Sequence, residues 1–116
     1  MKNKIRYFWP KIGGYRKKLP LETLIYCKKE NAKPALYYEN AKEPILIDQS
    51  QSLTDLETML PANTFFRCNR SYIINIDFVD RYCEKNRYVY LTNGIRILIA
   101  EDRFDDFCKL LRERDG

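Results

Sequence analysis

The chain has 116 residues, of which 45% are hydrophobic and 14% are aromatic, as expected for one folded domain with its own core. It contains no His, which excludes Ser-His-Asp and Cys-His catalysis and His-ligated metal sites. No apolar run approaches the about 20 residues of a membrane-spanning helix, and the first 21 residues show no signal-peptide pattern. We therefore expect a cytoplasmic domain that is not an enzyme and has no cofactor.

The cysteines form no CxxC pair, which argues against a zinc ribbon or a thioredoxin-like redox site. Scattered cysteines in a reducing compartment are most simply small buried apolar side chains. The four positions are Cys27, Cys68, Cys83 and Cys108.

Positive charge is concentrated at the N-terminus. Residues 1–20 contain seven basic residues and no acidic one, whereas the remaining residues contain 14 basic and 16 acidic ones. Aromatic side chains are interleaved with these charges, a combination that suits nucleic acid or an anionic membrane surface. The alternative is a solvated tail, or one whose aromatic side chains pack on the domain. We interpret residues 1–20 as a basic aromatic arm and residues 21–116 as the folded domain.

The first half of the domain predicts three strands and a helix. Strands are expected over residues 23–27, 35–39 and 45–48, the last two joined as a hairpin by a five-residue loop. Ser52 is a candidate N-cap with Asp55 three residues further on, and the apolar spacing from Leu53 predicts a helix that Pro61 ends.

The second half predicts strands over residues 64–68 and 72–79, separated by the polar triplet Asn69, Arg70 and Ser71. Residues 88–99 are typical of a hairpin, in which Asn93 and Gly94 would form a two-residue type I′ turn. From Asp102 onward, apolar side chains recur at helical spacing, with acidic residues in the first turn and basic residues near the end. The whole pattern predicts a mainly β domain with two short helices.

Residues 60–75 read Leu-Pro-Ala-Asn-Thr-Phe-Phe-Arg-Cys-Asn-Arg-Ser-Tyr-Ile-Ile-Asn. This block resembles the signature of LytTR domains, the DNA-binding output domains of a class of bacterial response regulators in two-component signalling. The order and spacing of the hairpin and the last helix are also similar, so the resemblance covers about residues 21–114. It implies an elongated sandwich of small antiparallel sheets, with one short internal helix and a C-terminal helix, that reads double-stranded DNA with loops.

The resemblance implies DNA contacts in three loops. In the second loop, Arg67, Asn69 and Arg70 lie at a strand end, and Arg and Asn match the edges of guanine and adenine or a phosphate. From the residues alone, a surface salt bridge for Arg70 and a turn-forming role for Asn69 are favoured over a DNA contact, and the resemblance reverses that preference. In the loop after the first strand, Lys33 and Lys29 are the candidate contacts, and Arg103 is the candidate in the third loop.

Two positions depart from the family pattern. Asn69 replaces a His of the signature. This change keeps the capacity to form hydrogen bonds but alters which DNA groups the residue would recognise. Glu101 and Asp102 stand where the family usually has basic residues, so this loop has either an unusual base preference or no DNA contact.

The leading hypothesis is a sequence-specific transcriptional regulator that binds double-stranded DNA, with no catalytic residue. Because the sequence has only 116 residues, we expect no receiver domain in it. Control would then come from expression level, a separate signalling partner or a second copy on repeated sites. The alternative is a degenerate member that serves as a protein-interaction or membrane-surface module, an interpretation that Glu101 and Asp102 favour.

Overall fold

The computed structural model describes residues 6–115. The described chain forms short antiparallel strands, two α-helices and two single 3₁₀ turns. The strands are β1 (Tyr7–Phe8), β2 (Lys11–Ile12), β3 (Tyr15–Arg16), β4 (Leu19–Pro20), β5 (Leu24–Glu30), β6 (Lys33–Tyr38), β7 (Ile45–Leu46), β8 (Phe65–Arg67), β9 (Tyr72–Asn75), β10 (Val79–Tyr82), β11 (Tyr88–Leu91) and β12 (Arg96–Leu98). The helices are α1 (Leu53–Met59) and α2 (Phe104–Asp115), and the 3₁₀ turns are Ile76–Phe78 and Glu101–Arg103.

A five-stranded sheet in the order β7-β6-β5-β9-β8 lies at the centre of the fold. Successive side chains of a strand point to opposite faces. In β8, Phe65 joins the core on one face and Phe66 the core on the other, and in β9 Ile73 and Ile74 divide in the same way. Both faces of the sheet are therefore covered, and the strands carry apolar residues at consecutive positions.

One face of this sheet is covered by α1 and the N-terminal strands. The Ser52 hydroxyl accepts a hydrogen bond from the Asp55 amide at 3.0 Å, and the Asp55 carboxylate accepts one from the Ser52 amide at 2.9 Å. This capping box confirms the predicted start of the helix. The apolar side of α1, with Leu53 and Leu56 buried, packs against the sheet.

The other face is covered by α2 and by a three-stranded sheet in the order β10-β11-β12. Phe107 of α2 is fully buried, with its ring centroid 5.5 Å from that of Phe66 and 5.3 Å from that of Tyr82. Stacked small antiparallel sheets with one internal and one C-terminal helix confirm the predicted mainly β architecture.

Residues 6–20 lie within the segment interpreted as an arm. They form two small β-ribbons that pack on the apolar core between α1 and the central sheet. Strand β1 pairs with β4, and β2 pairs with β3. Phe8 and Leu19 are 4% and 6% exposed and join the core cluster over α1. Part of the predicted arm, Met1–Ile5 with Lys2 and Lys4, lies outside the described residues.

The single strand predicted over residues 72–79 is wrong. The structure divides it into β9 and β10 with a 3₁₀ turn between them. Asn75 causes the break, because its buried side chain accepts a hydrogen bond from the Asp77 amide at 2.9 Å and donates one to the Leu24 carbonyl at 2.9 Å. The two apolar stretches thus enter two different sheets.

The hairpin over residues 88–99 is confirmed, but its turn is longer than predicted. The Leu91 amide donates to the Ile95 carbonyl at 2.9 Å, which leaves three residues in the loop. Among these three, Gly94 alone has a positive φ, at 91°. This is the three-residue connection that ends in a left-handed residue, the next commonest hairpin loop after the two-residue turn.

The cysteines differ in burial. Cys27 and Cys68 are fully buried, as predicted, and burial raises the pKa of the Cys27 thiol to about 12 and raises that of Cys68 as well. Cys83 and Cys108 are half-buried.

Within residues 6–115, no helix is long and apolar enough to cross a membrane, and no group of three or more Cys, Asp and Glu side chains is placed to hold a metal ion.

Candidate nucleic-acid interface

Three segments of the chain meet at one end of the central sheet: residues 29–33, 68–71 and 98–103. We call this region the loop end. The Lys29 amide donates to the Ser71 carbonyl at 3.0 Å, which joins the first two segments. The Ala100 amide donates to the Cys68 carbonyl at 2.9 Å, which joins the second and third. The sequence-predicted contacts in these segments therefore lie at the same end of the molecule.

The Arg70 side chain extends into solvent at the loop end. It is exposed at the turn between β8 and β9, and its guanidinium has no hydrogen-bond or ion-pair partner among residues 6–115. It borders two grooves, one of about 200 Å³ shared with Lys29 and one of about 280 Å³ shared with Asn69 and Arg103. An unengaged guanidinium at a turn can donate to a base edge or to a phosphate.

Arg67 lies only three residues away but is fully engaged within the protein. Its Nε donates to the Asn69 carbonyl at 2.8 Å and its Nη2 to the Arg70 carbonyl at 2.8 Å. Its Nη1 lies 3.0 Å from the Glu57 carboxylate, and its side chain is 16% exposed. Arg67 thus fixes the backbone of the turn that presents Arg70.

The Asn69 side chain has a similar internal role. Its Nδ2 donates to the Leu98 carbonyl at 2.7 Å, and its Oδ1 accepts from the Ser71 amide at 2.8 Å. One Nδ2 proton and one Oδ1 lone pair remain for a further partner. Asn69 connects the second and third segments of the loop end.

Arg103 is held in place but partly accessible. Its Nε donates to the Arg67 carbonyl at 3.1 Å, and its guanidinium lies 4.9 Å from the ring centroid of Phe66. The Asp106 carboxylate is 4.0 Å away, and the side chain remains 37% exposed. The outer edge of this guanidinium can still face a ligand in the groove that Arg70 borders.

Lys29 and Lys33 lie on either side of the tight β5–β6 turn. Asn31 adopts a positive φ of 50° in this turn, a conformation that Asn tolerates better than most residues. Both lysines are exposed, and Lys29 lines the smaller groove with Arg70. The two ammonium groups extend the positive charge of the loop end beyond Arg70.

Two carboxylates interrupt this positive charge. Glu101 and Asp102 are exposed in the 3₁₀ turn that precedes α2. Asp102 borders the same groove as Arg70 and Arg103. Glu57 and Arg67, which form an ion pair with each other, also line this groove. A phosphate entering it would therefore meet the Asp102 carboxylate beside the guanidinium groups of Arg70 and Arg103.

A further basic element, missed in the sequence analysis, adjoins the loop end. Gly13 and Gly14 have positive φ values of 59° and 84° and form the two-residue turn between β2 and β3. Their amides donate to the two oxygens of Asp48, at 2.6 Å and 2.9 Å. The Gly-Gly pair between Ile12 and Tyr15 is a recognised hairpin signal, hidden here by the high charge of the segment.

Contact with the β2–β3 turn changes the pKa of Asp48. The hydrogen bonds from Gly14 and Gly13, together with the charges of Lys11 and Lys33, hold the pKa of the Asp48 carboxyl below its ordinary value. The Ile47 amide donates to the Pro34 carbonyl at 2.9 Å and the Asp48 amide to the Lys11 carbonyl at 2.9 Å, so the β2–β3 hairpin lies beside the β5–β6 turn. The Lys11 amide also donates to Gln51 Oε1 at 2.6 Å, and Gln51 lines the groove of Lys29 and Arg70.

Comparison with known proteins identifies the family of this chain. The family model of the LytTr DNA-binding domain matches residues 15–112, so the chain belongs to the LytTR family. A solved structure of a LytTr DNA-binding domain from a response regulator of Bacillus cereus superposes with a TM-score of 0.71 at 22% identity, covering 95% of this chain and 98% of that one. No curated protein sequence gave a match.

Family membership defines the class of protein as a DNA-binding domain, which is not an enzyme family. The family match begins at residue 15 and so does not include β1 or β2. The recognition of a LytTR domain from the 60–75 block is therefore confirmed.

Proposed function

We propose that this chain binds double-stranded DNA sequence-specifically through the loop end and regulates transcription in a bacterium. The observation that carries this proposal is the contrast at the β8–β9 turn. An internal network built by Arg67 and Asn69 fixes the turn, while the Arg70 guanidinium remains exposed and unengaged among the described residues. A free guanidinium carried on a fixed turn can form the bidentate pair with guanine O6 and N7.

The surrounding charges support a duplex partner. Lys29, Lys33 and Arg103 flank Arg70 at the loop end and are exposed or partly exposed. In protein–DNA complexes such flanking cations contact phosphates and set the orientation, whereas base-edge contacts set the sequence preference. We assign base reading to Arg70 and phosphate contacts to Lys29, Lys33 and Arg103. Arg67 and Asn69 then act by positioning the turn.

Selection from a pool of random duplexes, followed by sequencing, tests this function. The proposal predicts enrichment of a defined motif, and it predicts that the enriched duplex binds more tightly than random duplex and than either of its single strands. The Arg70→Ala variant, selected in parallel, should lose the preference at one or two positions of the motif. No duplex binding at low salt would contradict the proposal and favour a protein-interaction or membrane-surface module.

A further inference from the structure

The β2–β3 hairpin is fixed beside the loop end by contacts of β2 and of the turn. Besides the two Gly amides that donate to the Asp48 carboxylate, the Asp48 amide donates to the Lys11 carbonyl at 2.9 Å. The Lys11 amide in turn donates to Gln51 Oε1 at 2.6 Å. These contacts come from the segment between β7 and α1, so the hairpin has a defined position relative to that segment.

The outer side of this hairpin is basic and aromatic. Tyr15, directly after the turn, is 78% exposed, and Arg16 and Lys17 are exposed next to it. Arg16 donates from Nη1 to the Trp9 carbonyl at 3.2 Å, which directs its guanidinium along the ribbon. With Lys11, three cations lie on one short hairpin.

These cations continue the charge of the loop end. The Ile47 amide donates to the Pro34 carbonyl at 2.9 Å, which places Asp48, and the hairpin bound to it, beside Lys33. The Lys11 amide donates to Gln51, which lines a groove with Lys29. Lys29 in turn shares a groove with Arg70. The basic hairpin therefore adjoins the groove that Lys29 and Arg70 border, and neither Glu101 nor Asp102 lines this groove.

We propose that the β2–β3 hairpin is a fourth DNA-contacting element, which holds the phosphates that flank the bases read by Arg70. This inference rests on the proposed function. Phosphate contacts are independent of sequence, and each adds about 0.9 to the slope of log affinity against log salt. The hairpin thereby supplies positive charge that the third loop lacks because of Glu101 and Asp102.

The decisive variant is Asp48→Asn, because removal of a negative charge and loss of the contacts that fix the hairpin predict opposite changes in DNA affinity. Asn has the shape of Asp but no negative charge, so electrostatics alone predicts tighter DNA binding. Its Nδ2 is a donor and cannot accept from a Gly amide, so only one of the two bonds that fix the hairpin can still form. The proposal therefore predicts weaker binding, by about tenfold at 0.1 M salt for each phosphate that the displaced hairpin no longer neutralises.

Glu43→Gln is the matched control for removal of a carboxylate. Glu43 is exposed in the connection between β6 and β7, at the opposite end of β6 from the β5–β6 turn. We expect this variant to bind random duplex as tightly as the unaltered chain or slightly more tightly.

A second pair of variants keeps the inference testable if Asp48→Asn alters the fold. Gly14→Ala changes no charge, and the added Cβ would meet no atom within 4 Å, but its φ of 84° is unfavourable for Ala. It should weaken binding on enriched and random duplexes alike. Replacing Lys11, Arg16 and Lys17 together by Gln should lower the salt slope by up to about 2.7, at roughly 0.9 for each phosphate.

The failure of this inference is distinct from failure of the function. If Asp48→Asn binds as tightly as the unaltered chain or more tightly, as expected for Glu43→Gln, and the triple Gln variant keeps the salt slope, the hairpin does not contact DNA and the loop-end assignment stands. If the unaltered chain binds no duplex, the function itself fails.

Discussion

Arg67 and Arg70 lie three residues apart on one turn, and their guanidinium groups have opposite surroundings. Arg67 donates to two backbone carbonyls of the turn and contacts Glu57, whereas Arg70 extends into solvent. A buried or half-buried charge contributes to stability through its partners, while an exposed and unengaged one is free for a ligand. The two residues should therefore separate stability from DNA binding.

Unfolding in urea tests this separation. We expect Arg67→Gln to lower the free energy of unfolding by about 1–3 kcal/mol, because carbonyls of the turn and the Glu57 carboxylate lose their donor. We expect Arg70→Gln to change it by less than about 0.5 kcal/mol, since the side chain has no partner in the described structure. Equal losses in the two variants would contradict the assignment of Arg67 as the positioning residue.

The carboxylates before α2 give a second prediction at this scale. Replacing both Glu101 and Asp102 by Arg should tighten binding to every duplex and steepen the salt dependence, because each change removes repulsion and adds a possible phosphate contact. Titration of the enriched duplex and of random duplex at several salt concentrations measures this. Weaker binding of the enriched duplex alone would show instead that one carboxylate accepts from cytosine N4.

The sequence predicted where the loop-end residues lie but not how each one is used. The 60–75 block placed Arg67, Asn69 and Arg70 at one turn, and the structure has them there. The partners of Arg67 are backbone carbonyls two and three residues further on and a carboxylate of α1. Such contacts depend on how the turn closes and on where α1 packs, and neither can be inferred from residue types.

At the scale of elements, regular patterns were predictable and interrupted ones were not. The capping box of α1 and the hairpin over residues 88–99 are local signals, and both are confirmed. The break after Asn75 arises from a hydrogen bond to Leu24, a residue 51 positions away. No window of neighbouring residues carries that information, and a run of β-branched residues there was interpreted as one strand.

The Asp48 contact with the β2–β3 turn predicts a titration behaviour. Because the folded pKa of Asp48 lies below its unfolded value, the contact adds stability at pH values above the unfolded pKa of about 3.9 and loses it as the pH falls through the folded pKa. The amide resonances of Gly13 and Gly14 should thus shift with a midpoint below about 3.9. A midpoint at or above that of an ordinary aspartate would contradict the docked hairpin.

At the scale of the whole molecule, the N-terminal ribbons contribute side chains to the core between α1 and the central sheet. Phe8 is 4% exposed and packs in the cluster over α1, whereas its neighbour Trp9 is 53% exposed. Deleting residues 1–20 would therefore remove core side chains together with the basic charge. Charge substitutions, rather than truncation, isolate the electrostatic role of this segment.

A pair of adjacent substitutions checks this organisation. Phe8→Ala should lower the free energy of unfolding by about 3–5 kcal/mol, because it leaves a cavity between the ribbons and the sheet. Trp9→Ala, the matched control on the exposed side of the ribbon, should change it by less than about 1 kcal/mol. A small effect of Phe8→Ala in thermal or urea unfolding would mean that the ribbons do not contribute to the core.

The central claim is that Arg70 reads bases from a turn whose backbone the protein holds in place. Its most direct measurement is the affinity of Arg70→Ala and Arg70→Lys for the enriched duplex and for random duplex at one salt concentration. We predict that Arg70→Ala loses about 1–3 kcal/mol on the enriched duplex and much less on random duplex, and that Lys does not restore the difference because it lacks the bidentate fork. Equal losses on both duplexes, restored by Lys, would reduce Arg70 to a phosphate contact and contradict the claim.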